Sequence, residues 1–303
     1  MNIGIRNIDI RSVVLLILLA AGLTGCSRLG PMLDPERSAA VADTATSAAT
    51  TPSPELRSED AVKRPQPRRP LDPVEAAVAA ALANPARPDS DRVRDKARQS
   101  AAVLRFFGIA PGMTVLDLYS GGGYYTELLS YIVGPTGKVV AHNNTPYLRI
   151  AGKELASRYA SGRLPNVERL LAENNELKLP PAAFDAILMI DVYHDVYHVD
   201  EKAGWQRIDG PKMLAMLFQA LKPGGVLGVV DHAALPGAPP GTGDTLHRID
   251  PALLKKDLTA AGFVPDGESA ALVNPEDDRT KSAFDPSIRG RTSQVILRFR
   301  RPL

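Results

Sequence analysis

The turn Leu118–Gly123, reading LYSGGG, follows the apolar stretch TVLD and precedes YYTELL. Three consecutive glycines remove every Cβ from the turn and permit positive φ, so backbone N–H groups can approach a ligand closely. The free N–H groups of a helix starting there can hold a carboxylate. Asp117, at the end of the preceding strand, can pair with an ammonium. A ligand offering both charges is an α-amino acid moiety. A glycine cluster alone also makes a plain strand-to-helix turn, so its surroundings must decide.

The second group able to do chemistry is the histidines. The chain has five: His142, His194, His198, His232 and His247. His142 and His232 end apolar strands, His194 and His198 lie in DVYHDVYH after another, and His247 sits in the loop TLHRID. This puts all five near one edge of a sheet. Three uses are open. One is acid–base chemistry near neutral pH, with His194 as first candidate for the catalytic base and Asp195 or Asp191 orienting it. Another is a metal site, in which His194 and His198 share a helix face and Asp191, Asp195, Asp231 or His232 complete the ligands; no ligand set is assigned. The last is hydrogen bonding to loop carbonyls without chemistry. Arg248 can meet a substrate carboxylate or pair with Asp250 or Asp195. Of Tyr124 and Tyr125, one faces the ligand and the other packs. Trp205 is a lid residue or core packing.

Elements that position these residues are legible from periodicity. Asp72 and Pro73 open a short Ala-rich helix, PVEAAVAAALA, ended by Asn84-Pro85. Asp89 or Ser90 caps a helix to about Phe107, with Val93, Ala97, Ala101 and Leu104 on one face. Strands are read at Thr114–Leu118, Lys138–His142, NVERLLA, Phe184–Ile190 and Val226–His232. Helices are read at YYTELLSYIV, at Pro146–Tyr159 with Thr145 as cap, at Pro211–Leu221, and at Pro251–Ala261 with Asp250 as cap. Lys222–Gly225 reads as a tight turn. Two antiparallel strands, FVPDGESAAL and SQVILRFRR, close the domain. Near-continuous apolar strands alternating with helices predict an α/β fold: a Rossmann-like, doubly wound, mostly parallel seven-stranded sheet with helices on both faces. In such a sheet the ligand lies beyond the carboxyl ends of the strands, where the glycine turn stands.

VLDLYSGGGYYTELL resembles motif I of the class I methyltransferases, and KVVAHNN resembles their second strand and its end. LAENNELKLPPAAFDAILM resembles the adenine loop and fourth strand, and ALKPGGVLGVVDH the turn and fifth strand. The resemblance covers roughly residues 89–302. More narrowly, DVYHDVYH, TLHRID and RTSQVILRFRRP are similar to a family of bacterial methyltransferases that are often exported. The resemblance implies S-adenosylmethionine as cofactor and methyl transfer to a small or envelope-associated acceptor. It implies Asp117, Tyr119, Gly121, Gly122, Gly123, Asn143, Glu173 and Asp191 as cofactor-binding residues and His194 with Asp195 as catalytic. Asn143 falls at the ribose position, where an acidic residue is usual. Glu173 falls at the adenine position, with Asn174 as competitor. Tyr119 replaces the first motif glycine, which implies an ordinary φ there and a narrower pocket. These two departures also suit a binding protein that keeps the fold without catalysis, and the histidine edge suits a metal-dependent enzyme.

The N-terminus reads as a targeting segment. Arg6 and Arg11 precede the apolar run Val13–Ala21, too short to span a bilayer but suited to a signal-peptide core. Leu23-Thr24-Gly25-Cys26 resembles the lipobox of bacterial lipoproteins, which implies cleavage of residues 1–25, a lipid anchor on Cys26 and a periplasm-facing membrane protein. Ser27 implies sorting to the outer membrane. Cys26 is the sole cysteine, so the rest of the chain has no thiol to misoxidise outside the cytoplasm. Residues 26–71 are Ala/Ser/Thr/Pro-rich and read as a disordered tether, leaving 72–303 as the methyltransferase-like domain. Net charge is +2, and such a balance provides no field for nucleic acid. The partners expected are a small-molecule acceptor and the membrane.

Overall fold

A computed structural model describes residues 72–303 of the chain. The residues read as a signal peptide (1–25) and a tether (26–71), Cys26 among them, lie outside the described residues. Helix α1 (Pro73–Ala83) is capped by Asp72, whose carboxylate accepts the Val74 N–H at 2.8 Å. The helix expected from Asp89 to Phe107 is instead two: α2 (Asp89–Arg98) and α3 (Ser100–Phe107). Gln99 breaks them with a left-handed φ of 45°, Pro88 serves as α2's cap without a side-chain bond, and Val93 is 77% exposed rather than packed. The bend has a tertiary cause. It lets Asp95 of α2 and Ser100 of α3 both reach the Tyr124 hydroxyl, at 2.5 and 2.6 Å.

From there strand and helix alternate: β1 (Thr114–Leu118), α4 (Tyr124–Val133), β2 (Lys138–Asn143), α5 (Thr145–Arg158), β3 (Val167–Leu171), β4 (Phe184–Ile190), α6 (Gly210–Ala220) and β5 (Leu221–His232). Then come α7 (Thr242–Leu246), α8 (Pro251–Ala260), β6 (Val264–Ser269) and β7 (Gln294–Arg300). Asn144, not Thr145, caps α5. The Lys222–Gly225 segment continues β5 across a register shift instead of forming a separate turn.

The sheet has seven strands in the order β3-β2-β1-β4-β5-β7-β6. The first five run parallel, and β7 is antiparallel to both β5 and β6. Alternate residues of each strand feed two separate cores, as strand period two demands. Leu116, Ile187, Met189, Leu227 and Val229 pack on α6 and α8. Val115, Val139, Leu188 and Val230 pack on α1, α3 and α4. Both faces are therefore covered, and the doubly wound reading holds. The strand order reverses between β1 and β4, which makes their carboxyl ends the switch point. No helix among the described residues is long and apolar enough to cross a membrane.

Candidate functional site

Leu118 is in register with Met189, so the glycine turn and Asp191 leave adjacent strands at one level. The turn is anchored by the Ser120 N–H donating to the His142 carbonyl at 2.8 Å and the Gly123 N–H to the Ser120 carbonyl at 2.9 Å. Positive φ occurs at Tyr119 (54°), Gly121 (55°) and Gly123 (79°). The ordinary φ expected at Tyr119 is thus wrong: tyrosine adopts the glycine-type backbone of the turn. Its ring is held by stacking on Tyr147 (5.5 Å) and an edge contact with His142 (5.0 Å), burying it to 4% exposure. That packing offsets a left-handed conformation which costs about 1 kcal/mol or more outside glycine.

The three glycines do different things. A Cβ on Gly121 would meet no atom within 4 Å, so that side of the turn faces open space. A Cβ on Gly122 would strike the Glu154 carboxylate at 2.1 Å, and one on Gly123 the Arg158 side chain at 2.7 Å. These two are therefore glycine because the chain itself presses against them. Arg158 is buried, donates to the Gly122 carbonyl, and pairs with Asp91 and Glu127.

Asp117 is buried at the root of the turn and forms no ion pair with a lysine or arginine among the described residues. The Thr126 hydroxyl donates to it. Burial pushes its carboxyl up to about 6, against that hydrogen bond and the distant Arg158 charge. Asn143 does not stand free for a ribose. Its oxygen accepts the Gly121 N–H at 2.9 Å, and its nitrogen donates to Ser120 Oγ (3.0 Å) and the Gly121 carbonyl (3.1 Å). Glu173 accepts the Thr145 N–H at 3.1 Å, and Asn174 accepts from the Asn144 amide at 3.0 Å. Asp191, at φ 60°, takes a hydrogen bond from Gln294 and faces Arg98 at 3.5 Å.

Four of the five histidines come together. The His194 ring lies 5.4 Å from that of His247 and 6.1 Å from His232, and His198 lies 5.8 Å from His247. His142 does not join them: it is fully buried, with Nε2 at 3.0 Å from the Ala172 carbonyl, and burial pushes it down to about 4. His194 Nδ1 is 2.8 Å from one oxygen of Asp231, whose other oxygen accepts the His194 N–H at 2.8 Å. Burial disfavours the His194 cation, but Asp231, Asp195 and Asp191 outweigh it and raise the ring to about 9. The orienting carboxylate is therefore Asp231 rather than Asp195 or Asp191. Asp195 instead sits 3.4 Å from Nε2 and accepts from the Tyr147 hydroxyl. The cause is the sheet's register, since β4 and β5 are neighbours with Ile190 opposite Val230. Two acidic residues following those positions must then flank the same edge.

Residues 193–197 form a 3-10 turn, not an α-helix, so His194 and His198 do not share a face. His198 instead pairs with Asp244 at 2.6 Å. Arg248 is fully buried and grips Asp277 with both terminal nitrogens, at 2.8 and 3.0 Å, which removes it as a substrate ligand. Asp277 lies in the connection between β6 and β7, a partner that sequence reading did not name. Tyr124 and Tyr125 are both buried under α2 and α3, so neither faces a ligand. Trp205 packs edge-on to Tyr147 and His198. A cleft of about 660 Å³ opens over Asp191, His194 and His232, and Arg94, Arg98, Phe284, Arg289 and Arg291 are among its walls.

Residues 89–196 match the family model of protein-L-isoaspartate(D-aspartate) O-methyltransferase. The chain is 32% identical over 137 residues to the ubiquinone/menaquinone biosynthesis C-methyltransferase UbiE of Ectopseudomonas mendocina, covering 45% of this chain and 48% of that one. It is 35% identical over 127 residues to UbiE of Salmonella arizonae, covering 42% and 45%. The chain thus spans about half the length of the curated relatives it matches. Among solved structures it is similar to an S-adenosylmethionine-dependent methyltransferase from Aquifex aeolicus, with 23% identity and a TM-score of 0.46 over 76% of this chain and 98% of that one. A methyltransferase from Mesorhizobium loti matches at 17% identity and a TM-score of 0.48, over 69% and 100%. With its seven-stranded sheet and its glycine turn at the end of β1, the described domain has a Rossmann-like α/β fold, and residues 89–196 are similar to S-adenosylmethionine-dependent methyltransferases of class I.

Proposed function

We infer that the chain transfers a methyl group from S-adenosylmethionine to a small acceptor bound in the cleft over Asp191, His194 and His232. The observation that carries this is Asp117, a buried carboxyl without a cation at the root of the glycine turn, held near 6 by burial. An ammonium group there restores the charged form and offsets the cost of desolvation. The open side of Gly121 suits the same amino acid moiety. The Gly121 and Gly123 N–H groups are already given to Asn143 and Ser120, so the turn offers that moiety's carboxylate open space beside Gly121, and Glu173 stands at the far end for the nucleoside. Asn143 shapes the turn and leaves the sugar hydroxyls to other groups. When bound, the cofactor supplies a methyl group on a positively charged sulfur. The protein's own task is then mainly alignment. His194, oriented by Asp231, presents Nε2 to the acceptor's nucleophilic atom.

Calorimetric titration of the full chain in detergent with S-adenosylmethionine tests this. Micromolar binding, weakened at least tenfold by Asp117→Asn, is expected; no binding at millimolar concentration overturns the reading. A second reading, a binding protein of the same fold, is favoured by the Tyr119 ring stacked on Tyr147 and by the committed Asn143 amide. Binding without any release of S-adenosylhomocysteine, across a panel of oxygen, nitrogen and carbon acceptors, would select it.

The N-terminal residues Leu23-Thr24-Gly25-Cys26 support an acceptor at the cell envelope. The chain is exported and held at the periplasmic side of a membrane by lipid on Cys26. Radiolabelled palmitate should enter the wild-type chain in a bacterial host and not Cys26→Ser. Equal labelling of the two forms, or none in either, refutes the anchor.

A further inference from the structure

We propose that His194, Asp195 and His247 bind a divalent transition-metal ion of the zinc type, beside the cleft that His194 lines and with one coordination position left open. This deepens the preceding reading by naming what stands between His194 and the acceptor, yet the binding itself needs neither cofactor nor acceptor.

Donor geometry is the first argument. One ligand atom from each of the three residues lies within 4.8 Å of the others. His194 Nε2 and Asp195 Oδ1 are 3.4 Å apart. That is long for a charge-assisted hydrogen bond, which draws in to about 2.8 Å. It equals the edge of a tetrahedron around an ion with bonds of about 2.0–2.1 Å. His247, whose ligand atom lies within 4.8 Å of the other two, needs to close by at most about 1.4 Å to complete the set, within the range of a side-chain rotation.

Support around the donors is the second argument. Asp231 accepts the Nδ1 hydrogen of His194 and also its backbone N–H, which fixes the direction of Nε2, the nitrogen whose proton a bound cation displaces. Carboxylate–histidine–metal sites are built this way. Asp195 has its other oxygen held by the Tyr147 hydroxyl, so its nearer oxygen points at His194. The outer polar groups are therefore in place on both.

Strain is the third. His247 sits at φ 51° and ψ 50°, a left-handed backbone that costs a non-glycine residue about 1 kcal/mol or more. It makes no side-chain hydrogen bond among the described residues, although its ring faces His194 edge-on and Phe284 at 4.6 Å. Gly243 lets the preceding helix come this close, since a Cβ there would meet the His194 carbonyl at 2.5 Å. The fold thus drives an imidazole with no partner of its own onto His194. By contrast, His198 is engaged by Asp244, and His232 by Thr292 and Gln294, which leaves them outside the ligand set.

Two imidazoles and one carboxylate select a zinc-type ion over magnesium or calcium, which prefer all-oxygen shells. Three protein ligands leave a position for water or for an oxygen donor of the acceptor, as in catalytic rather than structural zinc sites.

The test uses the full chain in detergent, stripped with EDTA and titrated with zinc against a chromophoric chelator. One ion per chain is expected. His247→Ala should weaken binding at least 100-fold and Asp231→Asn 10–100-fold, whereas His198→Ala should stay within threefold. Cobalt substitution should give visible d–d bands in the wild type that disappear in His247→Ala, and thermal melting in EDTA identifies any variant that has failed to fold. Absence of stoichiometric zinc, or retention of zinc and cobalt bands in a folded His247→Ala chain, overturns the site. S-adenosylmethionine titration of the metal-free chain runs in parallel, so loss of the metal site and loss of the methyltransferase reading are separately visible.

Discussion

Asn143 and Gly121 clamp each other: the carboxamide accepts the glycine N–H at 2.9 Å and returns a hydrogen bond to the same glycine's carbonyl at 3.1 Å. A residue at the end of β2 thereby fixes the shape of a turn at the end of β1. Asn143→Asp keeps the acceptor, loses both donated bonds, and places a charge against a carbonyl oxygen. Each lost buried bond is worth about 1 kcal/mol, so a drop of ~1–2 kcal/mol is expected. For a domain of this size that is roughly 2–8 °C in melting temperature. An unchanged melt would show that the clamp is unnecessary.

Tyr119 fills space that a glycine would leave open. Tyr119→Gly relieves the left-handed backbone by about 1 kcal/mol but removes a buried ring, a change that costs about 3–5 kcal/mol in cores. The net expectation is a less stable chain that binds S-adenosylmethionine about tenfold tighter. Weaker binding by a folded variant would mean that the ring is part of the ligand site.

Asp117 gives a pH signature. Its folded value of about 6 lies above the unfolded 3.8, so between these values the native state holds a proton that the unfolded state has released. Stability of the ligand-free protein therefore falls as pH rises from about 4 to 6, by at most roughly 3 kcal/mol. Cofactor binding should show the opposite trend, strengthening as pH rises through 6. Denaturant melts and calorimetry at pH 4.5, 6 and 7.5 read both, and Asp117→Asn should flatten them. A cofactor affinity that does not change across this range rules out an ammonium at Asp117.

Arg158 joins three elements, since it pairs with Asp91 of α2 and Glu127 of α4 from the end of α5. Removing one partner of a buried network leaves the others uncompensated, at a cost of about 3–5 kcal/mol. Arg158→Leu should therefore melt far below the wild type and also free the Gly122 carbonyl. The triple variant Arg158→Leu, Asp91→Asn, Glu127→Gln should recover part of that loss. No recovery would place the cost in packing rather than charge.

How much of this was legible without coordinates depended on how local the cause was. β1, β4 and α4 were read with their observed limits, because an apolar run and its flanking glycines act within a few residues. The caps Asp72 and Asp250 were read correctly for the same reason. The single helix from Asp89 to Phe107 was not, because its break at Gln99 is set by Tyr124, which is distant in sequence. Arg248 was assigned to nearby acids, while its partner Asp277 arrives from the connection between β6 and β7.

The sequence by itself determined the class of sheet, the place of the glycine turn and the acidic residue beneath it. Period, turn chemistry and strand ends are short-range properties, and each leaves a mark within about ten residues. Only the tertiary structure decided that Tyr119 adopts a glycine's backbone, that Asn143 serves the turn, and that His194 answers to Asp231 and faces His247. Those outcomes depend on which strand ends lie side by side and on how closely a loop can approach. Packing settles both, and no spacing along the chain encodes either.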